Sequence, residues 1–85
     1  MAYFLKPSAV RDLKKLPTVI QRRIIQKLDF FVASKNPLHF AWHLRDRKFG
    51  EYRFRIGDYR VIFDVESKSR SLIILAIGHR RDIYK

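Results

Sequence analysis

Residues 51–63 read Glu-Tyr-Arg-Phe-Arg-Ile-Gly-Asp-Tyr-Arg-Val-Ile-Phe, with apolar side chains alternating with arginines on both sides of Gly57-Asp58. A period of two marks strands with one buried face. Gly57-Asp58 suits a two-residue hairpin loop, because glycine supplies positive φ at the first position. Counting outward from that loop sets the pairing: Ile56 opposite Tyr59, Arg55 opposite Arg60, Phe54 opposite Val61, Arg53 opposite Ile62 and Tyr52 opposite Phe63. Opposed residues share a face and faces alternate along a strand. Tyr52, Phe54, Ile56, Tyr59, Val61 and Phe63 are therefore expected to meet a core, with Arg53, Arg55, Arg60 and Ile62 on the other side. Like charges directly opposed destabilise a strand pair. The Arg55–Arg60 opposition is a local fault unless something anionic lies between them, and guanidiniums on a rigid sheet are suited to gripping phosphate oxygens in pairs. Neutralisation by Glu51, Asp64 or Glu66 is the competing reading.

Working outward, a polar turn at Glu66–Ser71 and the apolar run Leu72–Gly78 extend the sheet, giving expected strands over 51–57, 58–66 and 71–78. Upstream, Leu38, Phe40, Trp42 and Leu44 alternate with His39, Ala41, His43 and Arg45, which reads as a half-buried strand; Trp42 could stack on a base, but a lone tryptophan in an apolar alternation is expected in the core. His39 and His43 have metal-ligand spacing only on a helix, so no metal site is expected there. Residues 2–6 suit an opening strand. Ser8 is a candidate helix N-cap, and Val10, Leu13 and Leu16 fall on one helical face. Pro17 ends that helix and can open the next, whose stripe is Ile20, Ile24, Leu28, Phe31 and Val32. Asn36-Pro37 closes it. The order β-α-α-β-β-β predicts a single α+β domain over residues 1–85, an N-terminal strand and an antiparallel helical hairpin packed on one face of a twisted antiparallel sheet.

The totals narrow the partners. The 85 residues carry 19 Lys and Arg against 8 Asp and Glu, a net charge of +11, beyond the magnitude of about 2–8 common for small domains. Such a surface attracts polyanions, with nucleic acid, a ribosome or an acidic protein as candidates. The chain has no cysteine, so disulfides and thiolate zinc sites are excluded. No apolar run is long enough to span a bilayer, and the opening residues lack the order of a secretory signal. A cytoplasmic protein without membrane association is expected.

The closing residues 78–85, Gly-His-Arg-Arg-Asp-Ile-Tyr-Lys, place His79, Arg80, Arg81 and Tyr84 beside the arginine strands. A ring that titrates near neutrality, fixed cations and a phenol suit phosphodiester chemistry without metal or other cofactor. Cleaving RNA through its 2′-OH needs a base for that proton, cations on the phosphorane-like transition state and an acid for the leaving 5′ oxygen.

The ordered series Leu44-Arg45, Tyr52 to Phe63 and Ile77 to Tyr84, together with Phe4 and the helix start SAVRDLKKLP, resembles the RelE/ParE toxin superfamily, in particular its RelE-like branch. That resemblance implies a fold like that of microbial ribonucleases. It implies an endoribonuclease (mRNA interferase) that enters the ribosomal A site, beside 16S rRNA, and cuts mRNA by metal-independent 2′-OH attack, so inhibiting translation. It also implies a cognate antitoxin, and contact with operator DNA only through the antitoxin complex. Motif by motif, the implied catalytic set is Arg55, Arg60, Arg80, Tyr84 and His79, with Arg53, Arg45, Arg81 and Lys48 as RNA and phosphate contacts. Arg53 and Arg55 stand where RelE carries lysines, and arginine does not give up its proton near neutral pH. Either His79 is the base, or catalysis is mainly electrostatic and leans on the ribosome. The alternative is a ParE-like protein that inhibits DNA gyrase and cuts nothing; a passive nucleic-acid binder is the third reading.

Overall fold

The computed structural model describes residues 1–84. Its elements are β1 (Ala2–Leu5), α1 (Pro7–Lys14), α2 (Thr18–Ala33), a 3-10 turn at Pro37–Phe40, β2 (Ala41–His43), β3 (Tyr52–Ile56), β4 (Tyr59–Glu66) and β5 (Ser71–His79). β3 and β4 pair in the register counted from the sequence, all five oppositions included. Gly57 turns at φ +59°, while Asp58 keeps negative φ, as a hairpin loop led by glycine requires.

The strands form one sheet in the order β1-β5-β4-β3-β2. It is mixed, whereas the sequence reading expects an antiparallel sheet, because β1 runs parallel to β5. The cause is the chain path. The helices carry the chain from the β1 edge to the β2 edge, and three antiparallel steps then return β5 to the side of β1. The hairpin's apolar face meets the helices as expected. Phe54, Ile56, Val61, Phe63, Leu72, Ile74 and Ile77 pack with Ala9 of α1 and Ile24, Leu28 and Phe31 of α2. Phe31, Phe54 and Phe63 form a ring ladder with centroids 4.4 Å apart at each step. Each large side chain buried this way contributes roughly 1.5–3 kcal/mol.

Two local expectations change. α1 opens on Pro7 with Lys6 at the N-cap and no side-chain cap, since proline at the first helical position is already preset in φ. Ser8 instead donates its hydroxyl to the Leu75 carbonyl at 2.8 Å, and Asp12 Oδ2 accepts the Ile77 N–H at 3.0 Å. They flank a bulge, where β4 residues Ile62 and Phe63 pair with Ala76 and Ile74, skipping Leu75. β1 pairs only with Ser71–Ile74, and α1 thus satisfies backbone groups of β5 that lie beyond the end of that pairing.

Residues 37–40 turn where a strand was expected. Pro37 leads the turn, and the Asn36 side chain accepts the Leu38 N–H at 3.2 Å, a local bond that competes with extension. The strand resumes at Ala41, paired with core residue Phe54, so Trp42 lies opposite Arg53 on the other face. It is 56% exposed, and the expectation of a core tryptophan is corrected.

That other face is partly roofed by residues 44–51. Gly50, at φ +143°, permits it: a Cβ there would lie 2.6 Å from Ile62 Cγ2 and 3.0 Å from Leu75 Cδ1. Ile62 is buried beneath. The Glu51 N–H donates to Asp64 Oδ1 at 2.8 Å, and the Val65 N–H donates to Glu51 Oε1 at 2.9 Å. The carboxylates that might have neutralised the arginines are bonded to backbone instead.

Candidate functional site

The site begins with Arg60. It stands opposite Arg55 on one side and Gly78 on the other. In a two-residue hairpin the residues flanking the loop exchange the first hydrogen bonds, so Arg55 and Arg60 form the next, non-hydrogen-bonded pair. Cα atoms in such a pair lie ~4.5 Å apart and the side chains are close. Arg60 is only 7% exposed, yet among the described residues no carboxylate is in ion-pair contact with Arg53, Arg55 or Arg60; the described pairs are Lys48–Asp46 and Arg80–Asp58. Buried cations are ordinarily paired.

Backbone carbonyls hold Arg60 in place. Its Nη1 donates to Gly57 O and Tyr59 O, each at 2.9 Å. That uses both Nη1 hydrogens and leaves the Nε–Nη2 edge, the fork that grips two oxygens of one phosphate. Burial lowers the Arg60 pKa, and the charges of Arg55, Arg53 and Arg80 lower it further, while Tyr84 acts in the opposite direction. Like charges on neighbouring guanidiniums repel, the more so where one is buried. An anion between them removes that cost.

Arg53 and Tyr84 form the flank. Arg53 Nη1 donates to the Tyr84 hydroxyl at 3.0 Å, and Arg53 Nε is buried with no acceptor, a state that costs roughly 1–3 kcal/mol until an acceptor arrives. Phe49 meets the Tyr84 ring edge-on at 5.4 Å, so the roofing loop helps position the phenol. Tyr84 reaches the cluster through the turn after β5, where Asp82 and Ile83 N–H groups donate to the His79 carbonyl at 2.9 and 3.0 Å. The Arg80 N–H donates to Asp58 O at 2.8 Å, and its Nε lies 3.8 Å from Asp58 Oδ1. Arg80 is thereby tied to the hairpin loop, at the Arg55–Arg60 end.

His79 does not join them. It pairs with Tyr59, whose side chain packs against the core, and register puts both on the helix face. The rings meet edge-on at 5.5 Å, while Nδ1 accepts the Arg81 N–H at 3.2 Å. The geometry makes His79 an anchor of the terminal turn and corrects its expected place beside the arginines. Arg45, Lys48 and Arg81 are exposed and make no described side-chain contact with the cluster; Lys48 lies 3.6 Å from Asp46 and 5.3 Å over the Phe49 ring. Among the described residues no group of three His, Cys, Asp or Glu is placed to hold a metal ion. The sequence reading missed two contributors, Phe49 behind Tyr84 and Gly50, and it set aside an exposed Trp42 in favour of a core one. The signal for Gly50 was a lone glycine in a basic loop facing the hairpin; for Trp42 it was the turn chemistry of Asn36-Pro37.

Residues 3–84 match the family described as ParE toxin of type II toxin-antitoxin system, parDE. The chain is 33% identical over 78 residues to toxin RelG of Mycobacterium tuberculosis, covering 92% of this chain and 88% of that protein. Among solved structures it resembles a chain of the M. tuberculosis toxin-antitoxin complex RelBE2, at 29% identity and TM-score 0.76, over 93% of this chain and 96% of that one. A chain of the archaeal RelE-RelB complex from Pyrococcus horikoshii is similar at 28% identity and TM-score 0.70, over 95% and 96%. No helix among the described residues is long and apolar enough to cross a membrane. These matches run nearly end to end and span the hairpin that carries the arginines, so the chain belongs to the RelE/ParE family, the toxins of type II toxin–antitoxin systems.

Proposed function

We propose that this toxin is a ribosome-dependent endoribonuclease that cuts mRNA in the A site through the 2′-OH, without a metal ion. The observation that carries the reading is buried Arg60, held by carbonyls through Nη1 and within the charge field of Arg53, Arg55 and Arg80, with no described carboxylate countering Arg53, Arg55 or Arg60. A surface built only for docking an apolar protein face gains nothing from such a concentration of unpaired charge. A phosphodiester passing through a phosphorane gains a great deal, since fixed donors on developing charge supply the largest single contribution in many enzymes.

In the proposed step the 2′ oxygen attacks phosphorus, the bond from phosphorus to the 5′ oxygen breaks, and a 2′,3′-cyclic phosphate forms. Arg60 and Arg55 hold the equatorial oxygens, Arg80 lies near the leaving side, and Tyr84 orients the phosphate beside Arg53. With His79 across the sheet, none of the clustered arginines is a credible general base. The protein's part is then chiefly electrostatic: the 2′ proton passes to water or to a ribosomal group, and the leaving 5′ oxygen takes a proton from water. Arg45, Lys48 and Arg81 serve as outlying backbone contacts. A cognate antitoxin is the proposed partner in the resting cell, as in the complexes that the structural relatives form.

The Arg55→Ala/Arg60→Ala double variant tests this. It is expected to abolish growth arrest on expression while still binding antitoxin, and retained arrest would contradict the nuclease reading. Should wild-type toxin leave mRNA intact and block supercoiling by purified gyrase, the gyrase-directed reading replaces it.

A further inference from the structure

The arginine face carries one large apolar group that the phosphate chemistry does not use. Trp42 is the single tryptophan of the chain and is 56% exposed. It sits on edge strand β2 directly opposite Arg53. Its neighbours Ala41 and His43 pair with Phe54 and Tyr52 and so point to the helix face. On the arginine side β2 therefore offers the indole alone. Trp42 makes no aromatic or cation–π contact with any described residue, although most other rings of the chain do. Leaving a large ring in water forgoes the burial that the nearby core could supply.

We infer that Trp42 is a stacking platform for a nucleobase, the base belonging to a nucleotide next to the one whose phosphate Arg60 holds. Strand spacing supports the placement. Two strand-to-strand steps and two residues along the strands separate Trp42 from Arg60, a span of ~12 Å, within the reach of neighbouring nucleotides in an extended strand. Single-stranded RNA is recognised by splaying bases onto aromatic faces while cations follow the backbone, and Trp42 beside Arg53 presents that pair. An apolar protein partner seated on the indole would meet Arg53 and its unpaired neighbours instead, which favours RNA as the occupant. The inference rests on the nuclease reading above and adds a base subsite to it.

Because Trp42 is the sole tryptophan, its fluorescence reports directly on stacking. The probes are a short single-stranded RNA with 2′-O-methyl groups throughout, which blocks cleavage, and an abasic strand of equal length. At low ionic strength the first is expected to quench the emission and the second to bind without quenching. Trp42→Ala should weaken binding of the first probe by about tenfold, Trp42→Phe should restore most of it, and antitoxin affinity should stay unchanged. Equal affinity of Trp42→Ala and wild type, or quenching by the abasic strand, overturns the inference. Lost antitoxin affinity with intact RNA binding also overturns it and makes Trp42 a protein-docking residue. Arg60→Ala separates the two claims. If it weakens RNA binding and Trp42→Ala does not, only the stacking site fails; if Arg60→Ala binds like wild type, the phosphate reading fails with it.

Discussion

Arg60 is buried, and among the described residues no carboxylate pairs with it; a desolvated cation costs free energy unless it is compensated. Two carbonyls satisfy its Nη1, but the repulsion from Arg53, Arg55 and Arg80 remains. On the proposed nuclease reading the residue trades stability for function, as active-site groups often do. Arg60→Met keeps the stem and removes the charge. It is expected to raise the unfolding free energy by about 1 kcal/mol, which for a domain of this size is a rise in Tm of roughly 4–8 °C, while abolishing toxicity. Calorimetry beside a growth assay checks both, and a lower Tm would show that the guanidinium is structurally required. The opposition with Arg55 was legible in the sequence because a glycine-led loop fixes the register. The place of His79 was legible too but overlooked. Adjacent residues of a strand point to opposite faces, so once Gly78 is paired with Arg60, His79 must turn away.

At the scale of elements, the loop over residues 44–51 and the edge strand β1 show how the scaffold holds the site. Gly50→Ala forces a methyl group against Ile62 and Leu75 at a positive φ. Overpacking of this kind costs about 1–3 kcal/mol, and the loop that carries Phe49 should lift away from Tyr84. A lower urea midpoint together with reduced toxicity is the expected result, and an unchanged midpoint would mean that the loop does not close on the sheet. β1 is tied to α2 by the Tyr3 hydroxyl, which donates to Asp29 Oδ1 at 2.8 Å. Burial, and then this bond and the aspartate's charge, push the Tyr3 pKa from 10.0 to about 12. The folded chain holds that proton more tightly than the unfolded chain, so the contribution is whole below pH ~10 and is lost as pH rises towards about 12. Tyr3→Phe should flatten the alkaline decline of stability in that window; an unchanged slope would remove Tyr3 from it. The helices and the long strands were readable from periodicity alone. The turn at residues 37–40 was not, because period two continues through it, and only the bond between Asn36 and the Leu38 N–H breaks the extended path and sends Trp42 outward.

For the whole molecule, the +11 charge and the mixed sheet belong together. A cation-rich face repels itself, and the aromatic core on the opposite side of the same sheet supplies the rigidity that keeps the arginines close. The parallel pairing of β1 could not be read from its own residues, since strand direction at that edge depends on the full path through both helices. Three of the clustered arginines, Arg53, Arg55 and Arg60, by contrast, followed from thirteen consecutive residues, 51–63. The cluster's proposed purpose is tested most directly by primer extension on mRNA held in programmed ribosomes, with wild-type toxin and Arg60→Ala side by side. New 5′ ends within the A-site codon for wild type, absent for the variant, are the predicted result. Intact mRNA with freshly refolded, antitoxin-free wild-type toxin, or equal cleavage by both proteins, would contradict it.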